Sequence, residues 1–409
     1  MKSRPEIELL LSCARVELEA SRAARVRELL REDLDWQLLT KLALRNGVMP
    51  LLYRQLNGNF AEDVPEIYLR RLRELFRHNA ARNLLRASEL CRILEVLSKH
   101  EVDAIPYKGP ALAVDAYGDL SLRQFADLDI IVRRSDVRRA IEALAAEGYE
   151  PEFDLSETER RVFMRWWYVL AFSRGDHIYH LELHWAIAPR FFSFPFETER
   201  LWTRRRSLRV AQTQMLIPSR EDLLLLLSAH ATKDSWARLE WICAVAELIR
   251  ADGDLDWEAL IQEAKATGAE RMLLLALGLA HELLDAELPE EILRKIEGSA
   301  KIRVLTAQVS EQLFREKKSP AGFFEKSLFH LKARENLSDK IRYCARVATA
   351  TSPLEWRLLP LPESLYFIYS LLRPFRLLTG FVAGRTKREL ASASVAGGSH
   401  LDTSKQASE

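Results

Sequence analysis

The chain reads as an α+β protein: a small mixed sheet with flanking helices, set between an N-terminal helical segment and a C-terminal helical domain. Three observations predict this. Residues 5–100 carry apolar side chains near helical spacing, as in Leu69, Leu72, Phe76, Leu90, Ile93 and Leu97. Around residue 102 the pattern changes to short β-rich runs that alternate with helical ones. From about residue 219 the helical pattern returns and holds to near residue 349.

Taken in order, the N-terminal region is punctuated by Pro50, by Asn57-Gly58-Asn59 and by Pro65, each a local breaker of helix. A strand is then expected over 102–107, a helix over 109–117, a strand over 127–132 and a helix over 135–147. Ser135-Asp136 suits the start of that helix and Gly148 its end. Tyr168–Ser173 and Ile178–Trp185 flank Arg174-Gly175-Asp176, which predicts a β-hairpin with a glycine turn. Ser219-Arg220-Glu221-Asp222 resembles a capping box. Further helices are expected near 236–250, 257–267, 270–284, 289–315 and 323–349. The expected organisation is a helical region over 1–100, a core over 101–215, a helical domain over 216–389 and a small, polar, disordered tail over 390–409.

Bulk composition narrows the function classes. Of 409 residues 48% are hydrophobic and 29% charged, an ordinary globular balance with room for two or three domains. The net charge of +1 predicts no specific nucleic-acid partner. Four scattered cysteines form no CxxC pair, which predicts free thiols in a cytoplasmic protein. The N-terminus lacks the pattern of a signal peptide, and no apolar run is long and clean enough for a transmembrane segment. The stretch 365–388 has two readings, a helix docked on the C-terminal bundle or an amphipath meeting a membrane surface.

The chemistry concentrates in two places. Lys108-Gly109-Pro110 follows the first predicted strand, and Asp127-Leu128-Asp129 opens the second. On a strand, i and i+2 share a face, so both carboxylates point one way and Leu128 the other. Paired carboxylates on a rigid face suit hard divalent cations such as Mg²⁺ or Mn²⁺. In the hairpin's second arm His180, Glu182 and His184 share a face, opposite Tyr179, Leu181, Leu183 and Trp185. The bland readings remain beside these: a solvated strand end for the aspartates, a structural role for His184, and surface ion pairing for Lys108 and Arg123.

The order of these features resembles the nucleotidyltransferase superfamily, with its DNA polymerase β-like fold, and more narrowly the uncharacterised bacterial nucleotidyltransferases. The resemblance rests on Lys108 and Gly109, on Arg123, Asp127 and Asp129, and on Leu181-Glu182-Leu183-His184-Trp185. His230 through Trp236 and Leu239-Glu240-Trp241-Ile242 fit the family's helical part. It implies that Asp127, Asp129 and Glu182 hold Mg²⁺ or Mn²⁺. It implies also that Lys108, Gly109, Arg123, His184 and Lys233 bind the nucleoside triphosphate, whose nucleotidyl group passes to an unidentified acceptor.

Two departures stand out. Pro110 lacks an N–H where the superfamily turn usually offers an amide, and Ala244 stands where relatives often carry an aspartate. Both keep open an alternative from another class: a catalytically weak or inactive nucleotide-binding module that acts as an interaction protein.

Overall fold

Five strands form the main sheet because their apolar residues alternate or run together over short spans bounded by turn residues. These are β1 (Ala104–Pro106), β2 (Asp127–Val132), β3 (Glu150–Pro151), β4 (Val169–Arg174) and β5 (Tyr179–His184), in the spatial order β1-β2-β5-β4-β3. β2 and β5 run parallel, and every other pair is antiparallel. A separate hairpin consists of β6 (Arg206–Val210) and β7 (Thr213–Ile217). The computed structural model describes residues 4–175, 179–251, 255–315, 322–351, 356, 361 and 365–374. The mixed sheet with helical segments on either side agrees with the predicted fold class.

One face of the sheet is apolar. Leu128, Ile130 and Val132 of β2 and Leu181 and Leu183 of β5 pack with Leu90, Ile93 and Leu97 of the long helix Glu66–Lys99 and with Val137, Ala140 and Leu144 of the helix Val137–Ala146. Glu89 ties this helix to the sheet. It accepts from Arg92 at 2.8 Å, from Tyr149 at 2.6 Å and from Arg174 of β4 at 2.9 Å. A second core joins the first helices to the later ones: Leu9, Leu10, Leu39 and Leu52 share it with Leu224, Ile242, Leu273 and Leu277. Ile131, on the opposite face of β2 from Ile130, belongs to this second core.

Several boundaries differ from expectation for local reasons. Pro50 marks a division between helices as expected, but from the far side of the break: the helix Trp36–Arg45 has ended and Pro50 sits in the first turn of Met49–Asn59, where its missing N–H costs nothing. The first strand is shorter than 102–107. The predicted helix over 135–147 begins at Val137 after a 3₁₀ turn, and Asp136 rather than Ser135 precedes it, with no side-chain cap. Gly148 lies just past its end with φ of +79°, as expected of a stop signal. Ser219 does cap the helix Arg220–Lys233, accepting from the Asp222 amide at 3.2 Å, while the Asp222 carboxylate turns to Arg200 instead of completing a box. The helix predicted from 236 begins at Leu239. The span 289–315 divides into Glu290–Glu297 and Ala300–Leu313 at Gly298-Ser299, and 323–349 divides into Phe323–Lys332 and Leu337–Thr349. Arg204 and Arg205 lead straight into β6, which opens at Arg206.

Among the described residues no helix is long and apolar enough to cross a membrane. Of the stretch 365–388, residues 365–374 are described: Tyr369 is buried and Arg373 donates to the Val347 carbonyl at 3.1 Å. Residues 375–388, the tail 390–409, and Asp176, His177 and Ile178 of the predicted hairpin lie outside the described residues.

Candidate metal and nucleotide site

The site is built by strand register. Parallel pairing sets Asp127 beside His180, Asp129 beside Glu182 and Ile131 beside His184. Because alternate residues share a face, the carboxylates of Asp129 and Glu182 and the imidazole of His184 come together. Their ligand atoms all lie within 4.8 Å of one another, a group able to hold a metal ion. His184 Nε2 is 3.3 Å from Asp129 Oδ1 and 3.3 Å from Glu182 Oε2.

The first strand supplies the cation. Pairing continues past β1, with the Tyr107 amide donating to the Asp129 carbonyl at 3.3 Å. Lys108 thus lies beside Asp129, and its Nζ donates to Oδ1 at 2.9 Å. Gly109 follows with φ of +53°, and a Cβ there would stand 3.0 Å from the Asp127 carbonyl oxygen. This close approach of two backbones is the physical reason for glycine at that position. Pro110 falls in the first turn of the helix Gly109–Tyr117, where an N–H would have no partner within the helix.

Burial alone would raise the Asp129 pKa, but Lys108 and the hydrogen bond from His184 outweigh it and hold the carboxyl well below its usual range. Burial likewise works against the charge on Lys108, and Asp129 with Glu182 overrides it, so the Lys108 pKa is raised. Both groups are therefore ionised, and each depends on the other.

Two tyrosines wall the site. Tyr107 stands edge-on to His184 with ring centroids 5.3 Å apart, and Tyr168 lies 5.6 Å from it on another side. Lys233, at the end of the helix Arg220–Lys233, donates to the Tyr168 hydroxyl at 2.6 Å and lies 3.3 Å from Asp234 Oδ2. Burial opposes the Lys233 charge, but Asp234 and Tyr168 outweigh it and raise its pKa. His230, one turn earlier, is held neutral by burial and by the charges of Lys108 and Lys233.

Not every predicted residue joins this group. Asp127 shares the face of Asp129 yet lies outside the cluster of ligand atoms, and its charge acts on Arg86 of the long helix. Arg123 is buried with its guanidinium near the Phe125 ring and close to Tyr117, whose hydroxyl burial pushes well above its ordinary pKa, a rise that the Arg123 charge offsets only in part. Its backbone is pinned as well: Asn79 and Asn83 of the long helix donate to the Arg123 carbonyl at 3.1 and 2.7 Å and so fix the approach to β2. Ala244 is buried in the helical core.

His184 was expected to bind nucleotide; its Nε2 lies 3.3 Å from both Asp129 Oδ1 and Glu182 Oε2, within the group of possible metal ligands. One feature escaped the sequence reading. Arg86 was not singled out; its Nε and Nη1 are buried without hydrogen-bond partners, and burial, with Arg82, lowers its pKa against the pull of Asp127. Nothing in the local pattern marks one arginine among the several on that helix.

The donor set fits a divalent cation. Two carboxylates and an imidazole suit Mn²⁺ at least as well as Mg²⁺, since Mg²⁺ prefers oxygen alone. A family model described as "Uncharacterised nucleotidyltransferase" matches residues 32–285. No curated protein matches the chain.

Proposed function

Since the chain belongs to the uncharacterised nucleotidyltransferase family, we propose that it is a Mg²⁺- or Mn²⁺-dependent enzyme of the DNA polymerase β-like type. It moves a nucleoside monophosphate from an NTP to an acceptor hydroxyl, phosphate or amine and releases pyrophosphate. The observation that carries this reading is the meeting of Asp129, Glu182 and His184 on two parallel strands in register. It further assigns the protein to the cytoplasm, on the strength of four free cysteines.

In this reading Asp129 and Glu182 would hold the metal together with His184, and Asp127, on the same face of β2, would be a further carboxylate ligand. The cation, when bound, neutralises phosphate charge and aligns the reacting oxygens. Lys108, beside Asp129, and Lys233, beside Tyr168, bind the triphosphate as point charges. Gly109 keeps the turn close to β2, and the tyrosines exclude water around His184. The acceptor oxygen or nitrogen attacks the α-phosphorus, the bond to the bridging oxygen breaks so that pyrophosphate leaves with the electron pair, and the acceptor's proton passes to solvent.

One observation favours the alternative of a non-catalytic nucleotide-binding module. Lys108 already neutralises Asp129 at 2.9 Å, in the place where a metal would act. One experiment separates the two. ATP, GTP, CTP and UTP are titrated with Mg²⁺ or Mn²⁺ by calorimetry against the wild type and the Asp127→Asn/Asp129→Asn double variant, and pyrophosphate release is followed across an acceptor panel. The proposal expects binding that the double variant loses and pyrophosphate release by the wild type. Equal binding by both proteins sinks the metal site; binding without release selects the module.

A further inference from the structure

Lys233 ends its helix at a strained turn. Ser235 and Trp236 follow with φ of +56° and +53°, left-handed values that cost a non-glycine residue about 1–2 kcal/mol each. Local bonds offset part of this. The Trp236 amide donates to the Ala231 carbonyl at 2.8 Å, and its indole Nε1 donates to Thr232 Oγ1 at 3.2 Å. A further support comes from far along the chain. His330, on the helix Phe323–Lys332, sets Nε2 2.8 Å from the Lys233 carbonyl oxygen and Nδ1 2.9 Å from the Tyr343 hydroxyl.

The direction of these bonds follows from chemistry. Burial, with the charge of Arg334, pushes the His330 pKa down to about 3, so the ring is neutral. A neutral imidazole donates from one nitrogen and accepts at the other. A carbonyl only accepts, so Nε2 carries the proton and Nδ1 accepts from Tyr343. Arg334 holds the arrangement from behind: its Nη1 donates to the His330 carbonyl at 2.6 Å, and its guanidinium lies 4.8 Å from the Phe192 ring and 4.2 Å from the Tyr343 ring. His330, Arg334 and Tyr343 all lie beyond residue 285, where the family match ends.

We infer that His330 is a positioning residue for Lys233, so that the helices Phe323–Lys332 and Leu337–Thr349 are a working part of the nucleotide site. The inference rests on the proposed role of Lys233 in binding triphosphate. The test uses the full chain and, as probe, whichever of ATP, GTP, CTP and UTP binds tightest with Mn²⁺. His330→Phe keeps a ring and deletes both hydrogen bonds; His330→Gln keeps an amide donor for the carbonyl.

Loss of one buried hydrogen bond predicts about tenfold weaker binding for His330→Phe and recovery to within about threefold for His330→Gln. In a Lys233→Met background, His330→Phe should add no further loss. Wild-type affinity in His330→Phe, or losses that multiply in the double variant, would overturn the inference. If His330→Phe does not fold, Tyr343→Phe takes its place, with about threefold weakening expected and wild-type affinity counting against the inference. Failure of the underlying reading shows separately, as wild-type affinity in Lys233→Met alone.

Discussion

Replacing Lys108 by methionine keeps most of the side chain's volume and deletes the ammonium 2.9 Å from Asp129. Side-chain exposure at the two residues is only 9% and 7%, so water cannot take over the lost charge. Removing one partner of a buried pair costs about 3–5 kcal/mol. His184 Nε2 stays 3.3 Å from Asp129, which puts the expected loss near the lower end, about 3 kcal/mol. With an unfolding entropy of about 2.1 cal/mol/K per residue over the 409 residues, that lowers the melting temperature by about 3–4 °C. The gap narrows when a divalent cation is added. A cation reaching Asp129 in the wild type must displace Lys108, whereas in the variant it meets an unpaired carboxylate. Mn²⁺ at about a hundredfold excess over Kd then returns about 2.7 kcal/mol to the variant and less to the wild type. Melting curves of metal-free protein across a Mn²⁺ titration measure both effects. The Lys108→Met/Asp129→Asn double variant, which buries no lone charge, should recover most of the loss and respond least to Mn²⁺. Melting of Lys108→Met within about 2 °C of wild type, together with equal Mn²⁺ shifts, refutes the competition between lysine and metal.

Three further outcomes are expected. Gly109→Ala forces a left-handed φ and sets a Cβ 3.0 Å from the Asp127 carbonyl, so a stability loss of about 1–3 kcal/mol should appear in chemical denaturation, with weaker metal binding by calorimetry. Glu89 is held down to about 2, because Arg92, Tyr149 and Arg174 outweigh a burial effect that by itself would raise it. A depressed carboxylate stabilises above its unfolded pKa and loses that contribution as pH falls through the folded value. The wild type should therefore exceed Glu89→Gln by about 2–3 kcal/mol at pH 7 and lose that margin between about pH 5 and 2, as read by denaturation at each pH. Arg200→Met removes the guanidinium 2.8 Å from the buried Asp222 and should lower the melting temperature while leaving Mn²⁺ affinity at wild type; a change in that affinity would mean the two regions are coupled.

What was legible in the sequence was what local chemistry determines. The helix Gly109–Tyr117 and the strand Asp127–Val132 have the predicted bounds because a glycine turn and a β-branched run mark them without ambiguity. The common face of Glu182 and His184 followed from alternation alone. Gly298-Ser299 was a readable break, a helix stop followed by a cap, but it was masked by an apolar pattern that continues in phase on both sides. Strand β3, two residues long, and the polar hairpin β6–β7 carry too little pattern to stand out. Pairing between β2 and β5 is non-local, so neither the place of His184 in the ligand group nor the displacement of Asp127 from it could be read before the strands were paired. Arg123 shows the same limit: the resemblance implied a triphosphate ligand, and only the folded structure shows its guanidinium beside the Phe125 ring and near Tyr117.

The parallel pairing of β2 with β5 has a consequence for how this chain can change length. Everything between Val132 and Tyr179, including β3, β4 and two helices, forms an excursion that leaves the sheet and returns on the far side of β5. Residues added within that excursion's loops enlarge the surface and leave the carboxylates where they are. A single residue added inside β5 ahead of Glu182 does the reverse. It carries Glu182 and His184 to the apolar face and brings leucines to the face of Asp129, a failure with no intermediate degree. The site is thus tolerant of variation in its longest connection and intolerant within one strand of six residues.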